Sequence, residues 1–192
     1  KINGLKNSWS AYVYPMGEIL PKTGANVCVS SWVRAADNAI PARAKVNGNY
    51  VNASLMKNEA LQNGYDDAIA LDVNGNVSEG TVANIFIIRD GLLITPHTTS
   101  DLLEGITRDT ILKLAKHFSI AVESRSVNRT ELYIAEEVFY SGSSAQITPI
   151  ISVDKRKIGG GKPGKTTVEF MNYLDSLQRG NIPEFKHWLT IV

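Results

Sequence analysis

The sequence is poor in the residues that build disulfides and metal centres. It contains one cysteine and three histidines in 192 residues. A single cysteine, Cys28, excludes an internal disulfide framework and a cysteine-based zinc site, and we expect it to be a small core residue. Because His97, His117 and His187 are far apart in the sequence and show no ligand spacing, no metal site is predicted.

No charge of one sign dominates, and no long apolar run is present. The chain carries 20 lysine and arginine residues against 19 aspartate and glutamate residues, a formal net charge of +1. This balance argues against a dedicated nucleic-acid or membrane-surface binder. No apolar run reaches the roughly 18 residues of a membrane-spanning helix and no signal peptide is recognised, so the expected compartment is the cytoplasm.

The composition is that of an ordinary globular domain. Hydrophobic residues make up 43% of the chain and charged residues 20%, and one domain fits this length best. Helical and strand patterns intermix without a regular βαβ order, which predicts the α+β class. Helices are predicted over 49–62, 107–118, 129–135 and 166–177. Strands are predicted over 27–33, 68–72, 84–88, 92–95, 120–123, 138–140 and 147–153, with 68–95 antiparallel because Asn74-Gly75 and Asp90-Gly91 signal turns.

A glycine-rich run near the last helix matches the phosphate-binding loop pattern. Residues 159–166 read Gly-Gly-Gly-Lys-Pro-Gly-Lys-Thr, which fits G-x-x-x-x-G-K-[ST]. Such a loop follows a buried apolar strand, whereas a charged run over 154–157 precedes this one. A glycine-rich turn is therefore the favoured interpretation, and a nucleotide-binding module is an alternative.

Two other segments have the residue types of an anion site. Gly105 opens the helix predicted at 107–118, and the free amides of a first helical turn bind phosphate, with the Thr107 hydroxyl as a further donor. The same residues fit an ordinary helix start with Thr107 as the N-cap. Residues 141–145, which read Ser-Gly-Ser-Ser-Ala after a strand, form either a nest of backbone donors or a plain turn.

Lys45 and Glu79 are candidates for covalent and electrostatic roles. Small or apolar residues flank Lys45, and a lysine in a desolvated site can form a Schiff base because its pKa falls. A carboxylate such as Glu79 can keep a pyridine nitrogen protonated by lying against it. Solvated surface side chains are the alternative interpretation of both.

These segments belong to an ordered series of motifs along the chain. The series includes Lys45 with Gly48-Asn49-Tyr50, Gly64-Tyr65-Asp66, Ala68–Asp72, Ser78-Glu79-Gly80, Asn84-Ile85-Phe86, Leu103–Asp109 and Ile147–Ile150. The series resembles the large domain of the branched-chain amino-acid aminotransferases, which are class IV, fold-type IV enzymes dependent on pyridoxal phosphate. The resemblance covers about residues 9–188. The branched-chain subgroup is indicated by Gly48-Asn49-Tyr50, Ser30-Ser31-Trp32 and Trp188-Leu189.

The resemblance implies pyridoxal phosphate as the cofactor and a role for each matched residue. Lys45 would form the Schiff base and carry the catalytic proton, Glu79 would pair with the pyridine nitrogen, and Tyr50 would bind the phenolic oxygen. The phosphate would lie on the amides of Ile106 and Thr107 and on the Ser143 hydroxyl. The other implied cofactor-binding residues are Asn84 and Gly105, and the implied substrate-binding residues are Trp9, Tyr12, Ser144 and Ala145.

The implied reaction is transamination of leucine, isoleucine and valine with 2-oxoglutarate, a step of branched-chain amino-acid biosynthesis. The implied fold resembles D-amino-acid aminotransferases, with mixed sheets forming a pseudo-barrel flanked by helices. We expect residues 1–14 to end the family's small domain or linker and residues 15–192 to form the large domain. The sequence starts at Lys1 without a methionine, so we expect a fragment of a full-length homo-oligomer, dimeric or higher, with turnover impaired by the missing small domain.

Three other functions stay open at this point. A D-amino-acid aminotransferase and an aminodeoxychorismate lyase share the same fold and cofactor. A cofactor-free structural unit is the third alternative, because the absence of groups that the missing domain would supply leaves the phosphate charge less compensated.

Overall fold

The computed structural model describes residues 3–190, and its elements alternate irregularly between strand and helix. The strands are β1 (Ala25–Val33), β2 (Asp67–Leu71), β3 (Val77–Gly80), β4 (Asn84–Arg89), β5 (Leu92–Pro96), β6 (Val122–Arg125), β7 (Glu137–Gly142), β8 (Gln146–Val153) and β9 (Arg156–Lys157). The α-helices are α1 (Asn49–Gln62), α2 (Ile106–His117) and α3 (Lys165–Gln178), and 3₁₀ helices lie at Arg129–Ile134 and Pro183–Trp188.

All nine strands belong to one mixed sheet with the order β3-β2-β1-β8-β7-β4-β5-β6, and β9 pairs with β8. Strand β1 pairs in parallel with both β2 and β8, and β5 pairs in parallel with β6. The hairpins β2–β3, β4–β5 and β7–β8 are antiparallel. The α+β class is therefore confirmed.

The sheet is curled, so that β7 in one half approaches β2 in the other. The amide of Gly80 at the end of β3 donates to the carbonyl of Ala83 just before β4, at 2.7 Å. A Cβ atom on Gly80 would overlap the ring of Tyr140 in β7, so only glycine permits this close approach. The Tyr140 hydroxyl in turn donates to the carbonyl of Ala68 in β2, at 3.0 Å. The result is a half-barrel.

Alternation along the strands divides the core between the two faces of this curled sheet. Ile85 and Ile87 of β4 are buried in the cluster inside the curl, whereas Phe86 and Ile88 pack outward against α2 and α3. Successive side chains of a strand point to opposite faces, so a strand buried on both sides is apolar throughout. A third cluster joins α1 to β1 and β2 through Cys28, Met56, Ala60, Ala68 and Ala70, which confirms Cys28 as a core residue.

One sequence-based expectation about this sheet needs correction, and two short elements were not predicted. Segment 68–95 contains two antiparallel hairpins as predicted, but β1, β8 and β7 separate them in the sheet. Pairing between strands distant in sequence decides this order, and turn signals do not report it. The short strand β9 and the 3₁₀ helix at Pro183–Trp188 were also not predicted.

The glycine-rich run at 159–166 ends in the first turn of α3, and a carboxylate occupies that turn. Glu137 accepts hydrogen bonds from the Thr166 amide at 3.0 Å, the Thr167 amide at 2.7 Å and the Thr167 hydroxyl at 2.6 Å. A Cβ on Gly164 would overlap the Glu137 side chain. The run is thus a turn that seats a capping carboxylate, because the amides a nucleotide phosphate would need are already bound.

Within residues 3–190, no α-helix combines the length and the apolar character needed to cross a bilayer. The same residues contain no group of three or more histidine, cysteine, aspartate or glutamate side chains arranged to hold a metal ion.

Candidate active site

One cavity of about 450 Å³ gathers most of the predicted site residues. It lies where the loop before α1, the turn between β3 and β4, the start of α2 and the turn between β7 and β8 meet. This volume is in the usual range for small-molecule and cofactor sites. The predicted residues that line it are Lys45, Tyr50, Glu79, Asn84, Gly105, Ile106, Thr107, Ser143 and Ser144.

Lys45 lies in the loop that joins β1 to α1, and ionic contacts tie this loop to the segment before α2. Arg43 Nε lies 2.6 Å from Glu104 Oε1, and the Asp37 amide donates to Asp101 Oδ1 at 2.9 Å. Lys45 faces the same cavity as Glu79, and its positive charge lowers the pKa of that carboxyl group. The Lys45 side chain is exposed, so the desolvated surroundings considered for it are not found among the described residues, although it lines the same cavity as Glu79.

Glu79 is buried in β3, and all its hydrogen-bond partners are donors. Its Oε1 atom lies 2.8 Å from Arg34 Nη2, its Oε2 atom accepts from Asn84 Nδ2 at 2.9 Å, and both oxygens lie 3.3 Å from the Leu103 amide. Burial is the largest influence on the pKa of Glu79, which is raised to about 7. Arg34, the Leu103 amide and Lys45 act in the opposite direction and lower this pKa. A further cation in the cavity would favour its ionised form.

Arg34 is the main site residue that the sequence reasoning missed. It follows β1 directly, lines the cavity and is buried. Besides its ion pair with Glu79, it donates from Nε to the Asp101 carbonyl at 3.3 Å. The available signal was an arginine at the end of an apolar strand, a place where a charge needs a buried partner.

The start of α2 is an anion-binding end of the cavity. Gly105 is the N-cap and no side chain caps the helix, so Thr107 is not the N-cap and that interpretation is wrong. The amides of Ile106, Thr107 and Arg108 have no intrahelical partner, as in every first turn, and form no hydrogen bond with the described residues. Ser143 lines the cavity from the β7–β8 turn.

Asn84 lies between the carboxylate and this helix start. Its Nδ2 atom donates to Glu79 and, at 2.7 Å, to the Leu103 carbonyl. A Cβ on Gly105 would overlap Asn84 Oδ1. Gly105 is therefore required by space rather than by backbone angle, since its φ of −68° suits any residue.

Three predicted substrate residues lie outside this cavity. Trp9 and Tyr12 are 90% and 82% exposed in the irregular segment before β1. Ala145 is buried and lines, with Ser144, a second cavity of about 220 Å³ that also contacts residues 16–22. The structure does not bring these three side chains to Lys45, and their role in substrate binding stays a prediction.

The donor set of the main cavity fits a flat, anionic group with a basic nitrogen. The free amides of α2 suit a phosphate, the buried carboxylate of Glu79 suits a protonated nitrogen, and Lys45 supplies an amine. Two buried oxygen atoms, Asn49 Oδ1 and Ser141 Oγ, have no hydrogen-bond partner among the described residues, and both residues line the cavity. Buried polar atoms are rarely left unpaired, so a polar occupant is expected.

Comparison with known proteins identifies close relatives. The profile of the family described as Amino-transferase class IV matches residues 3–153. A probable branched-chain-amino-acid aminotransferase of Aquifex aeolicus is 46% identical over 183 residues, covering 94% of this chain and 59% of that protein. The branched-chain-amino-acid aminotransferase of Escherichia coli K12 is 45% identical over 181 residues, covering 94% of this chain and 58% of that protein.

Solved structures give the same result. The branched-chain aminotransferase of the thermophilic archaeon Thermoproteus uzoniensis, solved with norvaline, superposes with a TM-score of 0.88 at 38% identity, over 92% of this chain and 59% of that chain. A branched-chain amino acid aminotransferase complexed with N-(5'-phosphopyridoxyl)-L-glutamate superposes with a TM-score of 0.85 at 40% identity, over 88% of this chain and 56% of that chain. The fold implied by the resemblance is thus confirmed. The chain spans about three fifths of the length of the curated relatives it matches.

Proposed function

The chain belongs to the class IV aminotransferase family, and from that premise we propose that it is the large domain of a pyridoxal-phosphate-dependent branched-chain amino-acid aminotransferase. One observation carries the proposal: a single cavity holds the Lys45 amine, the buried Glu79 carboxylate and the free first turn of α2. The proposed substrate class comes from the relatives, which are named as branched-chain-amino-acid aminotransferases.

Pyridoxal phosphate, when bound, supplies an electron sink that stabilises negative charge at the substrate Cα. Lys45 Nζ would hold the cofactor and would act as the acid and base that moves the proton at the substrate Cα. Glu79 would favour a protonated pyridine nitrogen, because the buried carboxylate would gain a cationic partner there. Tyr50 orients the ring through its hydroxyl.

The phosphate is bound by backbone and hydroxyl donors. The amides of Ile106 and Thr107 at the N-terminus of α2, where the helix dipole favours an anion, would donate to it. Ser143 adds a hydroxyl from the β7–β8 turn, and Gly105 keeps the approach open beside Asn84. The cavity surface also includes the exposed apolar side chains of Val46, Tyr50, Val82 and Ile106.

The proposed substrates are leucine, isoleucine and valine as amino donors and 2-oxoglutarate as acceptor. The apolar cavity residues favour an aliphatic side chain over a polar one. One of the similar solved aminotransferases holds a phosphopyridoxyl adduct of L-glutamate, which supports the glutamate and 2-oxoglutarate pair. The backbone of Ser144 and Ala145 is proposed to bind the substrate carboxylate, and Trp9 and Tyr12 to close its side-chain pocket.

The proposed domain and assembly go beyond this chain. Residues 15–192 would form the large domain, and residues 1–14 would lead from a small domain. The segment 3–18 exposes Leu5, Trp9, Tyr12 and Val13, and apolar surface of this kind supports contact with further protein. A cytoplasmic homodimer or larger oligomer of the full-length protein is the expected assembly.

The test is an absorbance spectrum with added pyridoxal phosphate, followed by borohydride reduction and peptide mass mapping. We expect a yellow absorbance before reduction and a mass adduct on Lys45 after it, both absent in Lys45→Arg. Lys57→Arg is the matched control, because Lys57 forms an ion pair with Asp67 of β2 and does not line the cavity. An adduct on a different lysine would overturn the site.

Substrate identity needs a separate measurement. Loss of the yellow absorbance on adding L-leucine, L-isoleucine or L-valine, with recovery on 2-oxoglutarate, is the expected result. A response to D-alanine with none to L-leucine would instead favour a D-amino-acid aminotransferase. Release of pyruvate from aminodeoxychorismate would favour the lyase.

A further inference from the structure

Arg108 is a buried cation without a carboxylate partner. It is the third residue of α2 and only 7% exposed. Its guanidinium donates to neutral oxygens, which are Thr95 Oγ1 at 3.3 Å, the Pro96 carbonyl at 3.1 Å and Ser124 Oγ at 3.4 Å. None of the carboxylates in residues 3–190 forms an ion pair with it, whereas the other buried arginine, Arg34, has Glu79.

Such a charge is costly where it lies. A buried cation loses its hydration and normally requires a paired anion. The N-terminus of a helix is already positive, so a cation in its first turn is repelled by the helix dipole. Burial lowers the pKa of Arg108, while Glu104, Asp109 and Glu79 raise it from a distance. Asp109 in the same turn pairs with Lys113, and Glu104 before it pairs with Arg43, so neither carboxylate forms an ion pair with Arg108.

Arg108 also fixes the place of that turn. Thr95 and Pro96 end β5, and Ser124 lies in β6, so the guanidinium ties α2 to the ends of two strands. Arg108 itself does not line the cavity, whereas the three residues before it do. It can therefore act on a bound anion only through its field and through the helix that it holds.

We infer that Arg108 is a positioning residue for the phosphate end of the site, whose unpaired charge attracts the dianion across the first turn of α2 without touching it. The inference rests on the proposed function, because the anion is taken to be the cofactor phosphate. Arg108 is thus inferred to act mainly on the phosphate. Its charge also lowers the pKa of Glu79, but less than Arg34, the Leu103 amide and Lys45 do.

Comparing pyridoxal phosphate with pyridoxal separates a role of charge from a merely structural one. We expect Arg108→Met to weaken pyridoxal phosphate binding about tenfold, a typical effect of one charge several ångströms away at a partly shielded site. Pyridoxal, which lacks the phosphate, should bind Arg108→Met and the unchanged chain equally. A structural role would weaken both ligands together.

Two further variants keep the test valid if methionine prevents folding. Arg108→Lys keeps the charge only where its amine stays protonated, because burial lowers the pKa of a lysine. Measured at pH 6, it should keep pyridoxal phosphate affinity within about threefold. Arg108→Gln retains hydrogen-bond donors without the charge and should behave as Arg108→Met. Arg179→Met, which removes a cation from the exposed pair with Asp175 on α3, is the charge control and should change neither affinity.

Inorganic phosphate gives a readout that does not depend on the cofactor. Added phosphate should raise the melting temperature of the unchanged chain and of Arg108→Lys, and the shift should be lost in Arg108→Gln. An equal phosphate shift in Arg108→Gln, or no phosphate shift in any chain, overturns the inference. Failure of the unchanged chain to trap pyridoxal phosphate on Lys45 would contradict the proposed function alone, since the phosphate shift is measured without it.

Discussion

Arg34 Nη2 lies 2.8 Å from Glu79 Oε1, and both side chains are buried beside the cavity. Through its Nε atom the same guanidinium holds the carbonyl of Asp101. The pair thus joins the end of β1 to β3 and to the loop that leads into α2. One arginine therefore contacts both the site's buried carboxylate and the loop before its anion-binding helix.

Replacing Arg34 by methionine should lower the free energy of unfolding by about 3 kcal/mol, because removal of one partner leaves an uncompensated buried charge. Urea unfolding at pH 8 measures this change. The double variant Arg34→Met with Glu79→Gln should recover a substantial part of the loss, since no charge then remains buried. A double variant as unstable as Arg34→Met would show that packing, not charge, causes the effect.

Glu79 should also make stability depend on pH. Its pKa is raised from 4.5 to about 7 in the folded chain, so between these values the folded state holds a proton that the unfolded state has lost. The contribution of Glu79 to the free energy of unfolding is therefore fully present below about pH 4.5. It is lost as the pH rises to about 7, and the loss is on the order of 3 kcal/mol.

The measurement compares urea unfolding of the chain and of Glu79→Gln between pH 5 and pH 8. Glu79→Gln should gain stability relative to the unchanged chain as the pH rises. Asp67, another buried carboxyl group with a raised pKa, contributes equally to both proteins and cancels in the difference. A pH-independent difference would contradict the assignment of this titration to Glu79.

Gly105→Ala should be destabilising although its backbone angles suit alanine. The new Cβ would displace Asn84, which is the side chain that joins Glu79 to the Leu103 carbonyl. Overpacking of this kind costs about 1–3 kcal/mol. Gly160→Ala is the matched control, because its Cβ would meet only ordinary contacts with Lys162, and thermal unfolding of the two variants should differ clearly.

How far the sequence predicts the site depends on how local each feature is. Helix α1 was predicted with the bounds 49–62 because its apolar spacing and the glycine after it lie within one segment. Lys45, Glu79 and Gly105 converge as the family resemblance implied. Arg34 was missed because its partner, Glu79, is a residue of another strand, and its position after a strand does not show by itself which carboxylate it pairs with. The separation of the hairpins likewise depends on pairing with β1, β7 and β8, which no local signal encodes.

The Arg43–Glu104 pair should couple the lysine loop to the segment before α2. The two side chains are about half exposed, so solvent screening limits the coupling energy to about 0.5 kcal/mol. A double-mutant cycle with Arg43→Ala and Glu104→Ala, measured by urea unfolding, tests this value. Coupling should weaken in 1 M salt, and a salt-independent value would mean that the contact is not ionic.

Glu137 should stabilise α3 by capping it. Its carboxylate accepts two amide hydrogen bonds and one hydroxyl hydrogen bond at the helix start, where a negative charge also meets the favourable end of the helix dipole. Glu137→Gln keeps the shape and loses the charge, so a loss of about 1 kcal/mol in unfolding free energy is expected. Amide hydrogen exchange at Thr166 and Thr167 should accelerate in this variant.

A neighbouring carboxylate supplies the control for this cap. Glu136 lies one residue earlier and accepts from the Asp90 amide instead, so Glu136→Gln should leave hydrogen exchange in the first turn of α3 unchanged. The same cap decides between the two interpretations of the glycine-rich run, because the bonded amides leave no place for the phosphates of a nucleotide. Binding of a nucleoside triphosphate by the unchanged chain that Lys165→Ala abolishes would therefore contradict the capping role of Glu137.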